Sequence, residues 1–487
     1  MNVMAKYKCQ ICNQIIEIED FDSFETCPIC GVGKEYLIPV DEDEQIEKTY
    51  QEITGPIPIS QDNPSIERID EKCINCGLCS KICQKQVGIK YNKDKAKDPV
   101  CIACGQCILN CPVGALVPKY CYKKVMDYIK DTEKVVVAFT SPAVRVALGE
   151  EFKSEKVNVE KQLVTVLKRL GFNYVFDTTF GADLTIMEEA SELIERIKSK
   201  KNLPQFTSCC PAWVRYMEIY HSKLLNHLST CKSPIGMQGA IIKNYYSELM
   251  NIKKENIIAV AITPCTAKKS EIILPNSNDT DYVITTSELA LMIRENEIDF
   301  NSLEDSEFDS IMQRGSGAGI IFGNSGGVME AAIRTAYYLL TKENPPKDLL
   351  DFKAVRGYNN IKEATVDLSG TKIKLLVAYG CPNIEPFLEK LEKEGTLDYD
   401  FIEVMNCPGG CIGGGGQPLG IVSRQQETLE KRIAGLYAED QALKVRSSYE
   451  NQDIIDLYKC YLTEPLSEKA EKLLHTKYQD RSSILGE

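Results

Sequence analysis

Thr207-Ser208-Cys209-Cys210-Pro211-Ala212-Trp213 sets two cysteines side by side. Sequence neighbours do not close an ordinary disulfide, and only one of the two easily points at a given metal. Such a pair divides its work, with one thiolate as ligand and the other thiol free. Partners stand far along the chain: Cys265 in Thr263-Pro264-Cys265, and two cysteines in Cys407-Pro408-Gly409-Gly410-Cys411. If Cys210, Cys265, Cys407 and Cys411 converge, they make a four-thiolate iron–sulfur site with Cys209 left beside it.

The segments around them predict the fold that brings them together. Val135–Phe139, Tyr174–Asp177, Ile257–Ile262 and Leu375–Tyr379 are short β-branched or aliphatic runs, each followed by turn and helix patterns. This predicts parallel α/β organisation, whose ligands sit at the carboxyl ends of strands. Cys265 falls three residues past its run, and Cys209 and Cys210 follow Pro204-Gln205-Phe206. Residues 401–418 read as a third loop, whose glycines mean a backbone pressed against something bulky. A phosphate-binding loop lacks its Lys-Ser/Thr here, so a metal cluster is favoured.

At 487 residues the chain is long enough for several domains and at least one large core. No stretch of about 18 apolar residues appears. Met1–Lys6 lacks an apolar signal core and a twin-arginine pair, so a cytoplasmic location is expected. The 21 cysteines recur in C-x-x-C runs, which points to metal sites in a reduced compartment rather than to disulfides. A net charge of −13 argues against a nucleic-acid surface.

Two knuckles, Cys9-x-x-Cys12 and Cys27-x-x-Cys30, can complete a tetrahedron around one Fe or Zn ion. Tyr7-Lys8-Cys9 and Cys27-Pro28-Ile29-Cys30-Gly31 resemble a short rubredoxin-like module, with Asn13 where glycine is usual. Residues 41–65, with Asp41-Glu42-Asp43-Glu44 and Pro56, Pro58 and Pro64, read as a linker. Then Cys73-x₂-Cys76-x₂-Cys79-x₃-Cys83 is repeated as Cys101-x₂-Cys104-x₂-Cys107-x₃-Cys111. This is the bacterial two-cluster ferredoxin spacing, in which the fourth cysteine crosses over. One 4Fe–4S cluster is expected on Cys73, Cys76, Cys79 and Cys111, a second on Cys101, Cys104, Cys107 and Cys83. Gly77 and Gly105 are expected to let the backbone wrap them closely. Cys121, Cys231 and Cys381 read as buried thiols, and Cys460 as core.

Three motifs carry a resemblance to FeFe hydrogenases: Thr207–Trp213, Thr263-Pro264-Cys265-Thr266-Ala267-Lys268-Lys269-Ser270-Glu271, and Glu403-Val404-Met405-Asn406-Cys407-Pro408-Gly409-Gly410-Cys411. Gly319–Ala331 is similar to another stretch of that family, and Leu457–Tyr478 resembles its small-subunit segment. The resemblance spans roughly residues 70 to 480. It implies a multidomain α/β protein: a rubredoxin-like module (1–40), the linker (41–65), a ferredoxin-like α+β domain (66–122), a two-lobed catalytic domain with an H-cluster between the lobes (123–440) and a small-subunit-like end (441–487).

The resemblance further implies a cubane on Cys210, Cys265, Cys407 and Cys411, bridged by Cys411 to a two-iron subcluster with CO, cyanide and an azadithiolate. Ser141, Pro142, Lys268 and Met405 line that cofactor, and Lys268 donates to a cyanide. Proton transfer is assigned to Cys209, Glu189, Ser229, Glu192 and Arg196. Glu189, Glu192 and Arg196 also fall at i, i+3 and i+7, on one face of a helix expected over 185–198. Glu188 and Glu195 read as ordinary solvated acids beside them. The implied activity is interconversion of H2 with protons and electrons. The implied partners are H2, protons, a redox carrier such as ferredoxin, flavodoxin or rubredoxin, and maturation proteins. Two departures, Thr263 for methionine and Ile235 for glutamine, are expected to face the two-iron part. They keep a low-turnover H2 sensor in view; an iron–sulfur assembly protein without the two-iron part is the third alternative.

Overall fold

The computed structural model describes residues 55–84, 100–418 and 426–485, with 5–9, 15–18, 21, 34 and 37–39 nearer the start. The expected knuckle ligands Cys12, Cys27 and Cys30, and the side chain of Cys9, lie outside the described residues. Around them, β1 (Ala5–Cys9) pairs antiparallel with β2 (Ile15–Ile18) and β3 (Leu37–Pro39).

Next come β4 (Ile66–Arg68) and β5 (Leu116–Pro118), an antiparallel pair. They bracket two short helices, Leu78–Ile82 and Gln106–Leu109. Each helix starts after a glycine in the left-handed region, Gly77 at φ 70° and Gly105 at φ 73°. Glycine enters that region without steric cost, so the repeated cysteine run folds twice in the same way. From Gly55 onward the expected linker is part of this packed unit. Ile57 is buried, and its N–H donates to Cys79 Sγ at 3.2 Å.

Two four-stranded sheets build the large remainder. Strands β6 (Val135–Thr140), β7 (Tyr174–Asp177), β9 (Ile257–Thr263) and β10 (Tyr282–Thr285) form a wholly parallel sheet in the order β10–β9–β6–β7. Every residue of β9 is buried, as expected for a strand covered on both faces. Strands β8 (Gln205–Phe206), β11 (Ile361–Leu368), β12 (Thr371–Tyr379) and β13 (Phe401–Met405) form the second, in the order β11–β12–β13–β8. Here β8, β12 and β13 run parallel and β11 is an antiparallel edge. Phe401–Met405, expected within a loop, is therefore a central strand. Its side chains are all buried, and parallel pairing on both flanks outweighs the turn signals that follow.

Each sheet has its own core. Phe139, Phe176, Met237 and Ile241 pack on one face of the first. The second holds the chain's one tryptophan, Trp213, whose ring lies 5.7 Å from Phe206 and whose Nε1 donates to Thr207 O at 3.1 Å. That bond ties the loop before Cys209 to the helix after it. The C-terminal segment docks on the first sheet's core through Ile454, Leu457, Ala470 and Leu474. Cys460, expected in the core, is exposed. Leu457, Tyr458 and Leu462 take the inward face of that turn and leave Cys460 beside Tyr245.

Candidate active site

The loops after β6, β8, β9 and β13 meet where the carboxyl ends of the two sheets face each other. They line a cavity of about 70 Å³. Ser141 and Pro142 line it from β6, Cys209 and Cys210 from β8, Thr263, Cys265 and Lys268 from β9, and Met405, Cys407 and Cys411 from β13. All the residues expected to hold the cofactor thus share one wall. Thr178, Ile235, Phe322 and Asn406 complete it.

Burial raises all four ligand-candidate thiols. Cys265 is pushed to about 12 by burial and by Cys210 beside it; Cys210, Cys407 and Cys411 are also raised, burial being the main cause in each. Four thiols facing one space, Cys407 buried and Cys210, Cys265 and Cys411 half-buried, suit a positive metal group, which removes their protons outright. The donor set fits a thiolate-held iron cluster. Among the described residues, no three His, Cys, Asp or Glu side chains crowd together as for one ion. A single tetrahedral ion with metal–sulfur bonds near 2.3 Å would draw its sulfurs to about 3.8 Å, closer than a multi-iron cluster does.

Lys268 is 8% exposed and pairs with Glu271 at 2.7 Å, while its Nζ donates to Cys209 O at 3.1 Å. Burial alone lowers its pKa, but Glu271 outweighs burial and the net shift is upward, so the ammonium persists. Glu271 also accepts from the Ser233 hydroxyl. Glu271 closes the second motif at i+3 from Lys268, and its pairing role emerges only in the fold. Thr263 and Ile235 both line the cavity. The Thr263 hydroxyl is committed to its own loop, donating to Cys265 O at 3.2 Å and accepting from Cys265 N–H at 3.3 Å.

The glycines of the third loop press on protein backbone. A Cβ on Gly415 would stand 2.4 Å from Cys104 O, and one on Gly410 (φ 100°) 2.6 Å from Ser325 N. The second cysteine run is thereby locked to the cavity: Gln106 Nε2 donates to Gly413 O at 2.9 Å and Thr266 Oγ1 to Ala103 O at 2.7 Å. Cys104 lies beside Cys265. Farther out, Cys73, Cys76, Cys79 and Cys111 line one small cavity, which brings the fourth cysteine of the second run to the first three. Reciprocally, Cys83 is raised first by burial and then by Cys104 and Cys101. Cys107 faces Cys104, Cys101 and Cys83.

The long helix Thr178–Ser199 carries the acidic face. It is capped by Asp177, which accepts from Thr179 N–H at 3.0 Å, and so begins before the expected 185. Cys209 is buried, and its thiol is raised well above normal by burial first and Glu189 second. Glu189 is raised to about 8 by burial and then by Glu192. Neither of its oxygens has a hydrogen-bond partner. Ser229 stands close to it, but the single Ser229 proton goes to Glu192 Oε2 at 2.7 Å. A hydroxyl both donates and accepts, so Ser229 can connect the two acids by turning. Glu192 in turn pairs with Arg196 at 2.7 Å. Glu195 is exposed as expected. Glu188, expected to be solvated, is fully buried: it accepts from Tyr458 OH and from Leu466 N–H at 2.8 Å. The docked C-terminal segment covers that position, which helix periodicity alone does not foretell. Cys231 and Cys381 are buried as expected, while Cys121 is partly exposed with Lys269 Nζ at 3.4 Å from its sulfur.

The raised Glu189 has a consequence for stability. Below pH 4.5 the carboxyl is protonated in both folded and unfolded chains. Between 4.5 and about 8 the unfolded chain releases the proton and the native one keeps it. Stability therefore falls as pH rises through that window, by at most about 5 kcal/mol, and then levels. Glu189→Gln is expected to lose less of its melting temperature than the parent between pH 5 and 8. Circular dichroism melts across that range check this; parallel curves would refute it.

Residues 134–415 match the family model described as iron only hydrogenase large subunit, C-terminal domain, and residues 426–481 match iron hydrogenase small subunit. The chain is 42% identical to the NADP-reducing hydrogenase subunit HndD of Solidesulfovibrio fructosivorans, over 86% of this chain and 75% of that one. It is 37% identical to Iron hydrogenase 1 of Clostridium pasteurianum, over 98% and 86%. The solved FeFe-hydrogenase HydA1 from Chlamydomonas reinhardtii, in a variant form, superposes with a TM-score of 0.64 at 37% identity, covering 74% of this chain and 98% of that one. At lower identity, 30%, the chain also resembles Protein NAR1 of Arabidopsis thaliana, over 78% and 84%.

Proposed function

The chain belongs to the iron-only hydrogenase family and is an enzyme of that family, and on this premise we propose that it interconverts H2 with protons and electrons at an H-cluster held by Cys210, Cys265, Cys407 and Cys411. One observation carries the assignment: those four cysteines line one cavity with Cys209 and Lys268. Cys411 would be the ligand shared with the two-iron part. When bound, the cofactor supplies the centre at which H2 is made or split.

The chain's own residues handle charge and protons. Lys268, held by Glu271, offers an ammonium to an anionic ligand of the group. Ser141, Pro142 and Met405 shape the wall and exclude water. Cys209 keeps its proton at neutral pH and delivers or accepts it at Sγ. Glu189, near 8, sits at the pH where a carboxyl both gains and loses a proton readily. Ser229 and Glu192 continue the relay, with Arg196 paired to Glu192.

Cys101, Cys104, Cys107 and Cys83 would hold one 4Fe–4S cluster and Cys73, Cys76, Cys79 and Cys111 another, and these would carry electrons to and from the cavity. Cys9, Cys12, Cys27 and Cys30 would hold a rubredoxin-like metal that extends the series. The carrier is a soluble redox protein such as ferredoxin, flavodoxin or rubredoxin, maturation proteins insert the two-iron part, and the enzyme works in the cytoplasm. No helix among the described residues is long and apolar enough to cross a membrane.

The matured protein is expected to evolve H2 from a reduced low-potential dye and to show CO and cyanide infrared bands. Bands without turnover would favour an H2 sensor, the reading that Thr263 and Ile235 in the cavity wall support. Iron without those bands would favour an assembly protein. The buried relay of Cys209, Glu189 and Glu192 speaks against the latter, since a protein without proton chemistry does not need it.

A further inference from the structure

Arg196 closes the expected relay, yet its guanidinium has no lone pair to accept a proton. Its Nη1 donates to the carbonyls of Asn202, Asn226 and His227 at 3.1–3.2 Å. Its Nη2 donates to Glu192 Oε1 at 2.7 Å and Leu228 O at 2.8 Å. A guanidinium so bound stays protonated and offers no acceptor. It anchors Glu192.

A second set of contacts leaves the same carboxylate. Thr230 Oγ1 donates to Glu192 Oε1 at 3.3 Å and lies 2.7 Å from His475 Nδ1. The other ring nitrogen, Nε2, lies 3.1 Å from Glu188 Oε2. The ring is held in register from both sides. Cys231 and His475 form a β-bridge, Thr476 N–H donates to Thr230 O at 2.7 Å, and Lys232 N–H donates to Leu474 O at 2.8 Å. Thr230 and His475 are partly exposed, whereas Glu189 is buried. The chain of bonds therefore runs outward.

From this geometry, and resting on the proton-relay reading above, we propose that protons enter and leave through Glu192, Thr230 and His475 rather than through Arg196. On the way out, protonated Glu192 gives its proton to Thr230 Oγ1 as that hydroxyl gives its own to His475 Nδ1. Glu192 is left as carboxylate, Thr230 is unchanged, and the imidazole becomes imidazolium. Water takes the proton and restores the neutral ring; uptake runs in reverse. Glu188 holds Nε2 and orients the ring. The other titratable groups facing this point are Arg196 and Glu192 on the long helix, Cys231 on the bridge, and Tyr458 and Tyr478 from the C-terminal segment.

The test uses the full-length holoprotein with its clusters oxidised. Thr230→Val keeps the shape and removes the hydroxyl; His475→Gln keeps a polar side chain and removes the titration. Each is expected to lower H2 turnover about tenfold or more and to change the shape of its pH profile, with cluster content unchanged. Nitrogen NMR of ¹⁵N-histidine-labelled protein reads the coupling without turnover, because the chain has only 3 histidines. The Nδ1 signal of His475 is expected to move in Thr230→Val, and its titration to respond to Glu192→Gln. Histidine signals indifferent to both substitutions would overturn the proposal. So would unaltered turnover and pH profile in His475→Gln alongside an altered profile in Arg196→Gln. A parent without H2 turnover refutes the functional reading instead, and the NMR arm still decides the connection.

Discussion

Cys209→Ala is expected to lower H2 turnover by about a hundredfold or more while leaving the iron content and the infrared bands of the cofactor in place. The side chain is buried in the cavity wall beside Cys210, and burial together with Glu189 keeps its thiol protonated. It lies in the cavity wall beside the unpartnered Glu189 carboxyl. Alanine removes that proton and little volume, so packing is preserved. Activity loss with the cofactor retained separates a proton carrier from a ligand. Iron loss in the variant would reassign Cys209 to the cluster, and near-normal turnover would require another acceptor at the wall.

The second large effect belongs to Lys268→Met. The substitution keeps the length of the side chain but strips Glu271 of its cation, leaving Ser233 as its polar contact in a buried setting. Removing one partner of a buried ion pair costs about 3–5 kcal/mol. The variant is expected to melt lower and, after maturation, to lack CO and cyanide bands. The double variant Lys268→Met/Glu271→Gln separates the two effects. It should recover much of the lost melting temperature, because the stranded charge is gone, yet still fail to retain the two-iron part. Bands and turnover in that double variant would mean that the ammonium is only structural.

Much of this was legible in residue order. The cysteine spacings forecast which sulfurs meet across the two repeated runs, and Cys111 does join Cys73, Cys76 and Cys79. The β-branched runs forecast parallel strands with the cysteine loops at their carboxyl ends. Local patterns misled where long-range packing intervened. Cys460 looked like core and faces outward, because its neighbours fill the inward side. Glu188 looked solvated and is buried, because a segment some 270 residues later lies over it. The glycines after Cys411 looked like a cradle for a cluster, yet Gly415 makes room for the Cys104 carbonyl.

The sequence by itself determined the chemistry that is present: which residues carry sulfur, which helix face carries acid, and where strands end. Each of these depends on spacing along a few turns or a single strand, and local geometry translates such spacing directly. Only the tertiary structure decided which polar groups meet away from the cysteine runs. The unpartnered Glu189 and the His475 contact through Thr230 depend on burial and on segments far apart in the chain. Desolvation and close approach are properties of the packed whole, and no local pattern encodes them.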